Sequence, residues 1–68
     1  MPKYIAIMRY FDECTAEEDM MPENEQIKIF HADEQECLWG KVDMARRECI
    51  CIEVEYFHYE CGAYVKGA

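Results

Sequence analysis

Between Glu48 and Glu60 the side chains alternate without a break. Ile50, Ile52, Val54 and Tyr56 fall on one face, and Cys49, Cys51, Glu53, Glu55, Phe57 and Tyr59 on the other. A period of two sustained this long does not fit a helix, whose faces repeat every 3.6 residues or so. A strand here commits the chain to a sheet, and 68 residues suffice for about one layer of sheet covered on one face. Two other stretches repeat the pattern. Residues 3 to 11 set Ile5, Ile7 and Phe11 opposite Tyr4, Met8 and Tyr10, and residues 26 to 32 group Ile27, Ile29 and His31.

The intervening segments carry weaker signals. Thr15 followed by Glu18 has the form of a capping box, so residues 12 to 25 read either as a short helix ended by Pro22 or as a charged loop. Asp33 to Glu36 reads as a turn or as the first turn of a helix stopped by Gly40. A third strand beginning near Cys37 is the preferred reading. Val42 to Glu48 fits a turn or a single helical turn, Cys61-Gly62 bends the chain, and residues 63 to 65 can pair back as a last strand. The chain has no serine, one Leu38 and one Thr15, but many Tyr, Met, Cys and Ile. Those residue types suit a pleated surface better than a helical bundle. The expected fold is α+β or mainly β: a single domain over residues 1–68 with an antiparallel sheet of three to five strands and at most one or two short helices.

Fifteen acidic residues against seven basic ones give a formal charge of −8. The bases are Lys3, Arg9, Lys28, Lys41, Arg46, Arg47 and Lys66, and they form no stripe able to neutralise phosphates, which speaks against direct binding of nucleic acid. The acids are not evenly spread. Asp12, Glu13, Glu17, Glu18, Asp19, Glu23 and Glu25 occupy one stretch without a base among them. Surface acids commonly serve solubility alone; such a field is also suited to meeting a basic protein surface. Glu53 and Glu55 project from one strand face about 7 Å apart, beside Phe57 and Tyr59. Carboxylates at that spacing suggest the repeat of a phosphate backbone. These eleven residues are the candidate partner-binding set.

Cys14, Cys37, Cys49, Cys51 and Cys61 are odd in number, and the apolar run at residues 4 to 8 is too short for a secretory core. The expectation is a cytoplasmic protein with free, buried thiols and no membrane segment, since none of its apolar runs approaches the ~20 residues a span requires. Cys49, Cys51, His58 and Cys61 are the ligand types zinc takes. Their spacing lacks the usual knuckle, and alternation puts His58 on the opposite face from Cys49 and Cys51, so packed thiols are preferred and no cofactor is expected. Gly40, Gly62 and Gly67 are isolated and build no phosphate loop. Catalysis is not expected.

In size, acidity and lack of catalytic signatures the chain is similar to small phage-encoded inhibitors, such as anti-CRISPR and anti-restriction proteins, several of which imitate nucleic acid. The likeness is one of composition and carries no residue across. It implies a stoichiometric inhibitor of a basic, nucleic-acid-handling protein, acting in the host cytoplasm if the chain is phage-encoded. The alternative is a small structural or zinc-stabilised accessory domain of a larger assembly.

Overall fold

The computed structural model describes residues 1–67. Strands β1 (Tyr4–Asp12), β2 (Gln26–Ala32), β3 (Cys49–Glu60) and β4 (Ala63–Lys66) form one antiparallel sheet in the order β2-β1-β3-β4. A single helix, α1 (Gln35–Arg46), links β2 to β3. The strands therefore fall where alternation places them. The preferred strand from Cys37 does not form, because the helix runs straight through Gly40. Its core-facing residues explain why: Leu38 and Val42 are buried and Gln35 and Ala45 half-buried, a helical spacing.

The helix covers one face of the sheet. Ala6, Leu38 and Val42 are fully buried there, and Tyr4, Phe30, Ala32, Val54 and Tyr56 pack around them. The helix-facing residues of β1 are thus the even-numbered ones, with Met8 also buried. The opposite face has no helix over it. By strand period it carries Ile5, Ile7, Arg9 and the buried Phe11 of β1, Ile27, Ile29 and His31 of β2, and Glu53, Glu55, Phe57 and Tyr59 of β3.

The alternation of β3 is interrupted where the sequence shows no break. Arg9 pairs with Glu53 but Tyr10 pairs with Cys51, so Ile52 is a bulged residue without a partner. The extra residue reverses the faces below it. Val54 and Tyr56 face the helix as expected, but Cys49 also turns that way and donates its Sγ–H to the Ala45 carbonyl at 3.3 Å. Ile52, expected at the centre of the apolar face, is 43% exposed.

The β3–β4 hairpin closes through Cys61 (φ 51°) and Gly62 (φ 87°). Positive φ at both central residues is the type I′ pattern that matches strand twist. Glycine adopts it without strain; Cys61 does not.

Candidate partner-binding surfaces

The long connection from β1 to β2 is an ordered structure. It is neither the capped helix nor the plain loop. A turn at Asp12, closed by the Thr15 amide at 2.9 Å, leads into two short 3-10 turns, Glu17–Asp19 and Pro22–Asn24. Ala16, not Thr15, stands at the start of the first, and no side chain caps it. The Asn24 side chain donates from Nδ2 to the Asp19 carbonyl at 2.7 Å and ties the two turns together. Asp12, Glu13, Glu17, Glu18, Asp19 and Glu23 are all exposed on this frame. None of them forms an ion pair among the described residues. Asp12 accepts a hydrogen bond from Gln26 Nε2 at 2.8 Å.

The other carboxylates of the candidate set are held differently. Arg9 donates from Nη1 to Glu25 at 3.1 Å and from Nη2 to Glu53 at 2.7 Å. Lys66 lies 3.3 Å from Glu55. The hydrogen bond and charge of Arg9 hold the Glu53 carboxyl below its ordinary range. Glu53 and Glu55 are therefore each matched by a base of their own chain. The structure divides the eleven candidates into unneutralised acids on the connection and a mixed patch on the bare sheet face, where Phe57 and Tyr59 lie. Arg9 joins the two through Glu25.

On that face Ile5, Ile7, Phe57 and Tyr64 line a shallow apolar depression, and Tyr59 and Tyr64 meet edge to face with ring centres 5.2 Å apart. Ile27 and Ile29, on the edge strand, are 63% and 59% exposed. Sequence reasoning grouped these two isoleucines correctly but did not identify them as surface. The local pattern shows which residues share a face and contains no signal for which face the helix covers.

The four zinc-type residues are not brought together. The bulge turns Cys49 to the helix side, which His58 shares, but His58 pairs with Tyr4 and Cys51 with Tyr10, about 20 Å along the strand. His58 is engaged by Glu60 at 2.9 Å and by the Gly67 carbonyl at 3.1 Å, and Cys61 occupies the tight turn. Among the described residues no three His, Cys, Asp or Glu side chains are placed to hold a metal ion. Nor are the thiols buried as expected. Cys14, Cys37 and Cys61 are exposed, and Cys49 and Cys51 half-buried. Burial pushes the Cys49 thiol up, away from the thiolate form. No helix among the described residues is long and apolar enough to cross a membrane.

These features define a small α+β protein with a helix over one face of a four-stranded antiparallel sheet, the other face without a helix and an acidic connection at one end. No protein-family model, curated protein or solved structure matches it.

Proposed function

We propose that this chain is a stoichiometric, non-enzymatic binding protein that docks its acidic connection on a basic protein surface. In the sharp form of the reading it inhibits a cytoplasmic nucleic-acid-handling protein by occupying the groove that nucleic acid would take. The observation that carries the proposal is the difference between two sets of carboxylates. Glu25, Glu53 and Glu55 are matched by Arg9 and Lys66, whereas six acids from Asp12 to Glu23 are left unpaired on hydrogen-bonded turns. A backbone already ordered by those turns loses little conformational freedom on binding, and the unneutralised charges it carries steer a basic partner during approach.

The test is capture of basic proteins from nuclease-treated cell extract by the wild-type chain and by a Glu17→Lys, Glu18→Lys, Asp19→Lys variant. The reading requires that salt and added nucleic acid release the wild-type catch and that the variant captures none of it. Capture that resists both, or that the variant retains, would overturn it.

One observation favours a second reading, an accessory domain within a larger assembly. The bare sheet face exposes Ile27 and Ile29 beside Ile5, Ile7 and Phe57, and contiguous apolar surface of that kind marks contact with another macromolecule.

A further inference from the structure

We propose that the outer edge of β2 receives an extended segment of the partner as a fifth strand, aliphatic beside Ile27 and Ile29 and basic at both ends. The proposal rests on the reading of this chain as a binder of basic proteins and names the segment it would take.

β2 stands at the edge of the sheet, and its other side carries no strand. Natural edges are blunted by proline, charged side chains (lysine above all), bulges or shortness. β4, the opposite edge, is only four residues long. β2 has seven residues, contains no proline, and pairs with β1 in unbroken register from Tyr4↔Ala32 to Tyr10↔Gln26. Two features blunt it in part: Lys28 places a charge at mid-strand, and Lys41 Nζ donates to the His31 carbonyl at 2.9 Å. The stretch from Gln26 to Phe30 stays open. An edge of this kind offers backbone donors and acceptors to any extended chain, and side chains at alternate positions decide which one it takes.

Charge selects the occupant. Residues 26 to 32 contain Lys28, His31 and no acid. Glu23 and Glu25 precede them, and Asp33 and Glu34 follow. Glu23, Asp33 and Glu34 are exposed and in no ion pair among the described residues. A segment with Lys or Arg at its two ends meets an acid at each. On the bare face its central residues meet Ile27 and Ile29. On the helix side they meet a groove lined by Lys28, Phe30, Lys41, Met44, Ala45 and Glu48, whose mixed charges suit neutral residues. A second copy of this chain fits worse in the register of greatest overlap and in its neighbour on Lys28. Antiparallel β2–β2 pairing centred on Ile29 sets Glu25 against Asp33 twice, and centred on Lys28 it sets the two lysines together. Like charges directly opposed weaken a ladder.

The experiment uses a synthetic peptide with alternating valine and threonine at its centre and paired lysines at both ends. Two further versions are N-methylated, one on the valines and one on the threonines. Successive amides of a strand point to opposite edges, so each version blocks one edge while all three carry the same charge. Binding is measured by titration calorimetry and by amide shifts in the full chain. The expected result is that one methylated peptide binds at least about tenfold more weakly than the other, with shifts concentrated at Gln26–Phe30. Equal affinity of the methylated pair, with shifts confined to the acidic connection, would overturn the edge proposal while leaving the charge-based reading of function standing. No binding of the unmethylated peptide, or concentration-dependent dimerisation through β2, would also overturn it.

Discussion

Arg9 stands directly opposite Glu53 across the β1–β3 ladder, and its guanidinium bridges that carboxylate at 2.7 Å and Glu25 at 3.1 Å. The bulge begins at the next residue, so this bridge pins the register immediately before it shifts. The hydrogen bond from Arg9 depresses the Glu53 pKa below its ordinary 4.5. A carboxyl depressed in the native state contributes stability that is present above pH 4.5 and is lost as pH falls through the native value. Denaturant unfolding of wild type and Arg9→Ala at decreasing pH should show a gap that narrows below pH 4.5. A constant gap would mean that Arg9 acts through packing alone.

The bulge reverses a stability ranking that unbroken alternation would impose. Leu38→Ala should cost about 2–5 kcal/mol, the range for a fully buried leucine. Ile52→Asp should cost no more than about 1 kcal/mol, since the side chain is 43% exposed and off the ladder. Urea titration of both variants measures this, and a severe loss at Ile52 would restore an unbulged strand.

Gly40 sits within α1 with open space where a Cβ would be. Gly40→Ala should therefore stabilise the protein by about 1 kcal/mol, through helix propensity alone. In a domain of this size that amounts to a rise in Tm of about 4–8 °C. An unchanged or lower melting temperature would argue against a continuous helix here.

Both hydrogen-bond partners of the His58 ring are acceptors, the Glu60 carboxylate and the Gly67 carbonyl. Satisfying both requires a proton on each ring nitrogen. The hydrogen bond to Glu60, followed by that to Gly67, raises the His58 pKa above its ordinary 6.5. Its contribution is complete below pH 6.5 and is lost as pH rises through the higher native value. Proton NMR of the ring should give a midpoint above 6.5 that falls in Glu60→Gln. The protection of the Gly67 amide, bonded to Tyr56, should fall over the same interval once the base-catalysed rise common to all amides is divided out.

Reversing Glu17, Glu18 and Asp19 to Lys should slow association with a basic partner about tenfold or more at low salt and leave Tm nearly unchanged. These side chains are exposed and unpaired, so the fold does not depend on them. Reversing Glu53 and Glu55 should also lower Tm, because Arg9 and Lys66 would then face like charges. Stopped-flow association against ionic strength separates the two, since screening acts over about 8 Å at physiological salt. Association insensitive to salt would leave solubility as the role of the connection.

The strands were legible because alternation is a local property, and β2 falls on the residues that show it. The helix was obscured by Gly40 and by the exposed Trp39 and Met44, which dilute the stripe of Leu38, Val42 and Ala45. The bulge at Ile52 left no trace in the sequence, since the residues on either side alternate well and pairing with β1 alone decides where one is extruded. For the same reason the acidic residues were found but their status was not. Whether a carboxylate is free or bound to Arg9 depends on a residue 44 positions away in the case of Glu53.

The Tyr64 hydroxyl donates to the Pro2 carbonyl at 2.7 Å across 62 positions of sequence. Both residues lie at the end of the sheet where β1 begins, and the acidic turns lie at the other. A tether attached near either residue would leave those turns facing away from the support. A circular permutant joined across this contact and reopened in the connection would keep every strand pairing while dividing the acidic segment between its new ends.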